Sequence, residues 1–381
     1  MNKLEIEVRK QAEDIIQIDI KGFISDDNYE TFADRILSIH QTNPKLKIIL
    51  NFDNVEMITS KIIEVLKGFK EKHLDFVLIN TSKEINTILY LSELIDISEN
   101  KEKYSITCEG CTILGKGFHS EVYRLNDEKI AKVYYEAPSI DMAIRERMIA
   151  KQAFVKGVPT EISFELCEAN SRPGLLYELV DAKTLLSTLV DHPEDIDKYV
   201  KKYVELVKEM HNYDGNGING IYNKKEVFNY EVSVVSKYLP IDCLNKLEEV
   251  KNLIPDSNML VHGDPHPANI MLTTRGMIFI DLSDMGIGDE KFDLMYLYRT
   301  LILFNKLPNS TYALNQYYCQ KLWDSFIEEY YKGLETKYIE NELRLIRILA
   351  LNSISSRFLL KDPESANAKQ MLDELVKELR K

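Results

Sequence analysis

The sequence predicts an α/β unit followed by a larger α+β unit whose first part is rich in strands and whose second part is helical. Three observations predict this. Apolar periodicities of two and of about four residues alternate along residues 1–98. A polar, charged stretch, ISENKEKYS, follows at 97–105. Short apolar runs then crowd residues 106–180, and helical spacing dominates after about 184.

Each element has its own signal. LEIEV alternates apolar and charged residues, as a half-buried strand does. IIQIDIKG repeats the alternation with Ile16, Ile18 and Ile20. KLKIILNF and DFVLIN are nearly continuous apolar runs, which suit strands covered on both faces. YETFADRILSIH sets Phe32, Ile36 and Ile39 on one stripe, and KIIEVLKGF does the same with Ile62, Val65 and Phe69. EINTILYLSELI reads as a third helix. The order is strand, strand, helix, strand, helix, strand, helix. Beyond the polar stretch, TILGKGF, EVYRL and KIAKVYY read as strands, residues 140–155 as a helix, and ISFELCE and GLLYELV as two more strands. YVKKYVELVKEMH, EVFNYEVSVVSKYL and the chain from 311 onward have helical spacing. The division is therefore 1–98, a linker at 99–106, and 107–381, the last split near 180.

Composition narrows the function. The 381 residues carry 48 basic and 61 acidic side chains, a net charge of −13, which argues against a nucleic-acid or anionic-membrane binder. Five cysteines are not a disulfide framework, and MNKLEIEVRK lacks a signal peptide's apolar stretch. Both point to a reduced cytoplasm.

The strongest motif is LVHGDPHPANIML, at 260–272. It spaces Asp264 and Asn269 five apart between apolar runs, and Asp281 follows twelve residues later at the end of IFID. A carboxylate base, an amide oxygen and a second carboxylate suit phosphoryl transfer. One takes the acceptor's hydroxyl proton, and the other two hold magnesium. Upstream, LGKGFHSEVYRL places Gly115 and Gly117 in a strand–turn–strand setting that lets backbone N–H groups approach phosphates. Ser120 stands where the common pattern has a third glycine. Lys132, in KIAKVYY, is spaced to reach the α- and β-phosphates, and Glu146 on the next helix is its expected partner.

This ordered set resembles the protein-kinase-like superfamily, and within it the aminoglycoside phosphotransferase and choline kinase branch. His262, Gly263, Asp264, His266 and Asn269 match that branch's catalytic loop, and the likeness covers about 108–360. It implies a bilobal kinase-like fold using ATP and Mg²⁺. It implies Asp264 as catalytic base, Asn269 and Asp281 as metal ligands, and Asp293 as a brace for the loop. YELVDAKTL would be the hinge, with backbone groups of Glu178 and Val180 meeting adenine. Asp284 departs from the pattern, as an extra metal contact or a substrate contact. The first unit, with IILNFDNVEMITSKIIEVL, resembles a STAS domain of the anti-sigma-factor-antagonist type. There Ser60 holds the phosphoacceptor position, although a helix N-cap is the plainer reading.

Several residues carry plainer readings too. His211 is read as packing at a helix end. Cys108 and Cys111 are read as ordinary strand thiols, since no further ligands follow at short spacing. Tyr317, Tyr318, Trp323, Tyr330 and Tyr331 are read as helix-packing aromatics. Eleven residues between Asp281 and Asp293 leave no room for a peptide-docking activation segment, which favours a small-molecule acceptor over a protein one. A non-catalytic scaffold is the third reading. A protein partner is expected, if anywhere, at the STAS-like unit, and no nucleic acid or membrane is expected. Asp281, Asp284, Asp289 and Glu290 favour a cationic alcohol such as an amino sugar or a choline-like amine.

Overall fold

The computed structural model describes residues 4–11, 15–24, 28–82, 85–86, 88–89, 92, 94, 105–117, 119–135, 139–161, 163, 165–169, 171–178, 182–274, 276–307 and 312–381. The chain divides into two compact units, residues 1–152 with 162–180, and residues 153–161 with 181–381.

The first unit opens with the antiparallel pair β1 (Glu5–Lys10) and β2 (Ile15–Ile24). Helix α1 (Tyr29–Thr42), β3 (Lys47–Ile58), α2 (Ser60–Glu71) and β4 (Phe76–Ile79) follow. The sheet order is β1-β2-β3-β4, with β2–β3 and β3–β4 parallel. Alternation in the sequence puts Ile18, Ile20, Ile48 and Leu50 inside, where Phe32, Ile36, Ile62, Leu66 and Phe69 of the two helices cover them. Thr59 stands at the N-cap of α2, so Ser60 is the first helical residue, one place later than the sequence suggested. Most of the third expected helix lies outside the described residues, but Ile85, Ile88 and Leu89 are buried in the same cluster.

A second sheet in this unit has the order β5-β9-β10-β8-β7-β6. Its strands are β5 (Ser105–Ile106), β6 (Thr112–Lys116), β7 (Ser120–Arg124), β8 (Lys129–Tyr134), β9 (Glu165–Ala169) and β10 (Arg172–Glu178). Helix α3 (Ser139–Val155) lies between β8 and β9 in the chain. Cys108 and Cys111 sit in the turn between β5 and β6 rather than in a strand, and both are free thiols.

Residues from both sides of the predicted linker share one apolar cluster. Tyr134, Ala143, Ile144, Leu166 and Leu175 belong to one apolar cluster with Ile62, Leu66 and Phe69, and Ile140, Met142 and Tyr177 pack against it. The cause is in α3 itself. Its residues Ala143, Ile144, Met148, Ile149, Ala150 and Ala153 are all buried, so the helix has more than one apolar face to cover.

The second unit is mainly helical. Two small three-stranded sheets carry its loops. One has the order β11-β14-β15, from β11 (Lys183–Thr184), β14 (Ile270–Thr273) and β15 (Gly276–Phe279). The other has the order β12-β16-β13, from β12 (Tyr222–Asn223), β13 (Leu260–Val261) and β16 (Gly286–Ile287). The helices are α4 (Leu185–Asp191), α5 (Ile196–His211), α6 (Lys224–Val235), α7 (Ile241–Leu253), α8 (Lys291–Tyr298), α9 (Gln316–Tyr330), α10 (Thr336–Lys361) and α11 (Ala366–Arg380). Thr184, Asn223, Asn315 and Ser365 cap α4, α6, α9 and α11 through their side-chain oxygens. Trp323, Tyr330 and Tyr331 are buried, whereas Tyr317 is exposed. No helix among the described residues is long and apolar enough to cross a membrane.

Candidate active site

Each unit carries one part of the predicted machinery. In the first, β6 and β7 form an antiparallel hairpin with a bulge between Ile113 and Gly115. The Gly117 amide donates to the Ser120 carbonyl at 2.8 Å and closes the turn. Among the described residues nothing lies within 4 Å of where a Cβ on Gly115 would stand, so its backbone is approachable. Ser120 is buried and His119 is exposed.

Lys132 lies in β8, paired in register with Val122 of β7 and Leu175 of β10. Its ammonium bonds both Glu146 oxygens, at 2.8 and 2.7 Å. Glu146 is almost fully buried on α3, and two further donors hold it. Tyr134 donates its hydroxyl to Oε2 at 2.5 Å, and Tyr177 donates to Oε1 at 3.0 Å. A buried charge pair persists only when its remaining lone pairs are satisfied, and these two tyrosines do that here. Sequence spacing found Lys132 and Glu146 but missed both tyrosines. Glu178 ends β10, opposite Lys129. Val180 lies outside the described residues.

In the second unit, β13 delivers the chain to His262–His266, and a single 3₁₀ turn at Pro267–Asn269 carries it into β14. Gly263 has φ +83°, and a Cβ there would meet the Asp284 carbonyl oxygen at 2.2 Å. Only glycine fits this position. The loop is pinned from beneath by Asp293, which is fully buried in the first turn of α8. Its carboxylate accepts the backbone amides of His262 at 2.9 Å and Gly263 at 2.7 Å. His211 Nε2 sits 3.0 Å from the same carboxylate, and its Nδ1 sits 3.0 Å from the Tyr330 hydroxyl. His211 is thus a buried link in the support, as its place at a helix end suggested. Burial pushes the Asp293 carboxyl up, but the His211 hydrogen bond and charge, the nearby His262 and the Gly263 amide outweigh it, so it lies below the usual value.

His262 is itself fully buried. Its Nδ1 accepts the Asp264 amide at 3.2 Å, and its Nε2 lies 3.2 Å from the Ile280 carbonyl. One acceptor and one donor are the complement of a neutral ring, and burial lowers its pKa accordingly.

Asp264 stands at the open side of this support, with Oδ2 3.6 Å from His266 Nε2. Its Oδ1 is buried and has no hydrogen-bond partner among the described residues. Asn269 donates its side-chain amide to the Asp264 carbonyl at 3.0 Å, which orients its oxygen the other way. The Asn269 carbonyl accepts the Ile280 amide at 3.0 Å, tying the loop to the segment that leads from β15 to Asp281. Asp281 is exposed, has φ +58°, and accepts the Ser283 hydroxyl at 2.8 Å. A left-handed non-glycine residue is strained, and such strain gathers at functional sites. Of the other acids, Asp284 is exposed, while Asp289 is paired with Lys291 at 3.1 Å.

Residues 110–346 match the phosphotransferase enzyme family (APH). The chain belongs to that family. It is an ATP-dependent phosphotransferase of the small-molecule kinase kind. No curated protein matches it in sequence. Among solved structures, it is similar to a choline/ethanolamine kinase family protein from Mesorhizobium loti, at 15% identity over 71% of this chain and 86% of that one, with a TM-score of 0.46. It is similar to the GDP complex of wild-type aminoglycoside 2'-phosphotransferase-IIIa, at 14% identity over 78% and 99%, with a TM-score of 0.48. It is also similar to the aminoglycoside phosphotransferase APH(3'')-Id from Streptomyces rimosus, at 17% identity over 64% and 93%, with a TM-score of 0.43.

Proposed function

We propose that this phosphotransferase moves the γ-phosphoryl group of Mg-ATP to a hydroxyl of a small metabolite, with Asp264 as base. The observation that carries the reading is the buried, unpartnered Asp264 Oδ1, held on a loop that Asp293 pins through two backbone amides. An orphaned carboxylate oxygen on a rigid loop suits an acceptor hydroxyl, which supplies the missing donor. Lys132, fixed by Glu146, would grip the α- and β-phosphates. The open backbone at Gly115 to Gly117, with Ser120, would lie along them, and backbone groups of Glu178 and Val180 would meet the adenine.

Asn269 and Asp281 would hold Mg²⁺, which neutralises charge on the phosphates. Their chemistry fits that ion. Asn269 has spent its amide nitrogen on Asp264 and keeps its oxygen, and Asp281 is an exposed carboxylate. Magnesium takes one or two protein oxygens and completes its shell from phosphates and water, so the lack of a three-acid cluster among the described residues is no objection.

A small acceptor is favoured over a peptide. From Asp281 the chain makes one 3₁₀ turn at Leu282–Asp284, passes β16, and enters α8 at Lys291. That path holds no extended platform for a polypeptide. Residues 1–98 are read as a STAS-like interaction module, a reading supported by the strand order of their sheet and by α2 starting beside Thr59 and Ser60.

Release of ADP from Mg-ATP in the presence of hydroxylated metabolites tests the reading. Turnover that disappears in Asp264→Asn is expected. Turnover unchanged in that variant would remove Asp264 from its role.

A further inference from the structure

Helix α10 contains the run Asn352-Ser353-Ile354-Ser355-Ser356, and its four polar members are all at least 98% buried. A helix buried in a helical unit ordinarily turns apolar residues inward. Four buried polar residues within five positions need another explanation.

Their surroundings supply one. Arg299, on the π-helical turn Arg299–Leu303 that continues α8, donates from Nη1 to Ser353 Oγ at 3.1 Å. Ser353 in turn donates to Glu231 Oε1, on α6, at 2.8 Å. The Arg299 guanidinium stacks 4.3 Å from the centre of the Tyr296 ring, and the Lys224 ammonium lies 5.1 Å from that same ring. Arg357 is four residues beyond Ser353 on α10 and so shares its face. Lys224 and Arg299 are buried, whereas Arg357 reaches the surface.

This group adjoins the catalytic loop. A Cβ on Gly263, the residue before Asp264, would stand 2.5 Å from Lys224 Nζ. Tyr296, which the Lys224 ammonium faces, is thereby tied to the same loop. Partial burial and the neighbouring Arg299 guanidinium push Arg357 below the usual arginine value. Two guanidinium groups near enough to repel one another mark a place built for a negative charge. Burial also pushes the Glu231 carboxyl up.

The network is also incomplete. Arg299 Nε and Glu231 Oε2 are buried with no hydrogen-bond partner among the described residues. Each is a donor or acceptor that a polar ligand would satisfy. Local π-helical turns recur at functional sites, and this one presents Arg299.

From this juxtaposition we infer that the acceptor is an anionic alcohol, a hydroxylated small molecule bearing a carboxylate or phosphate, whose negative group is held by Arg299 and Arg357 and whose hydroxyl is offered to Asp264. The inference rests on the phosphotransferase reading and narrows it. It replaces the cationic alcohol that the sequence favoured. Of the four acids behind that expectation, Asp281 is assigned to the metal and Asp289 is paired with Lys291.

The test is a thermal melt of the full chain with Mg-ADP and millimolar acceptor, for wild type and Arg357→Gln. The carboxylate arm is glycerate and gluconate, the phosphate arm is glycerol 3-phosphate, and the cationic arm is choline and kanamycin. At least one anionic arm should raise the wild-type melting temperature, and the arm that does so names the group. Arg357→Gln should weaken that binding about tenfold or more, the loss of one hydrogen bond to a charged group, while the shift from Mg-ADP alone stays the same. Arg357 reaches the surface, so Arg357→Gln is expected to fold, and its melting temperature without ligand checks this. No shift from any anionic arm, an equal shift in the variant, or a shift from choline or kanamycin alone would each overturn the inference. The phosphotransferase reading stands or falls separately, on ADP release with any hydroxylated acceptor, cationic ones included, and its loss in Asp264→Asn.

Discussion

The Asp293 carboxylate accepts the backbone amide of Gly263 at 2.7 Å. The residue next in sequence is the proposed base, so a fully buried carboxylate fixes the loop that carries it. Asp293→Asn keeps the shape but sets an NH₂ group against backbone N–H donors and leaves His211 without its anionic partner. Breaking a buried network of this kind costs about 3–5 kcal/mol. Calorimetry should record a markedly lower melting temperature, and turnover should fall even well below that temperature. A variant with wild-type stability and rate would show that the brace is dispensable.

The buried histidine gives a pH dependence. Folded His262 has a pKa below its usual 6.5, because burial disfavours the charged ring. Below pH 6.5 the unfolded chain takes up a proton there that the folded chain refuses. Stability should therefore fall as pH falls from about 6.5, and level off once the folded ring is protonated too. Asp293, held below its usual 3.8, adds a separate loss only below that pH. Melting temperatures between pH 7 and 5 should decline in wild type and decline less in His262→Gln. Parallel slopes would assign the acid sensitivity elsewhere.

Base and metal ligand should separate kinetically. Asp264→Asn removes the group that takes the proton, an effect of about 10²–10⁴ in turnover, and should leave nucleotide affinity nearly intact. Asp281→Ala should weaken ATP binding only when Mg²⁺ is present. Titration calorimetry with and without the metal distinguishes the two. Equal loss of affinity in both variants would refute this division of roles.

Glu146 receives three donors, and they differ in weight. Glu146→Gln leaves the Lys132 ammonium, only 13% exposed, without its counter-charge, and should weaken kcat/KM for ATP by about 10–100-fold. Tyr177→Phe removes one neutral hydroxyl and should cost about tenfold or less. If Tyr177→Phe were as damaging as Glu146→Gln, the tyrosine would touch the nucleotide rather than steady the glutamate.

The parts of the site legible in the sequence are those whose geometry is local. HGDPHPAN could be read because Gly263, Asp264 and Asn269 sit on one short loop whose hydrogen bonds close within a few residues. Lys132 and Glu146 are fourteen apart, yet a strand followed by a helix fixes their meeting. Tyr134 and Tyr177 converge on Glu146 from two strands that meet only in the folded sheet, and nothing in their own spacing says so. The polar cluster was hidden for a related reason. Glu231, Arg299 and Ser353 come from three helices, and a serine in a helical pattern reads as surface. A signal did exist in NSISS, where polar residues interrupt the apolar face of a long helix. The same holds for α3, whose apolar residues exceed one stripe and so foretold a second partner.

That second partner yields the last prediction. Phe69 of α2 is 2% exposed and shares its cluster with Ile144 of α3, the helix that carries Glu146. Asp141, in the first turn of α3, is pushed up by burial and by the charge of Glu64 on α2. A polar linker in the sequence suggests two separately folding bodies, but a shared apolar cluster gains its stability only when both sides are present. Phe69→Ala should cost about 3–5 kcal/mol, since the surrounding side chains relax only partly into the space left. If the cluster is one cooperative piece, the loss will not stay among residues 1–98. The calorimetric transition that Mg-ATP raises in wild type should itself move down in Phe69→Ala, because α3 and its Glu146 melt with α2. If the N-terminal residues instead melt in an early transition of their own, while the nucleotide-responsive one keeps its wild-type midpoint, then α2 only rests against α3, and residues 106–381 hold their nucleotide grip without it.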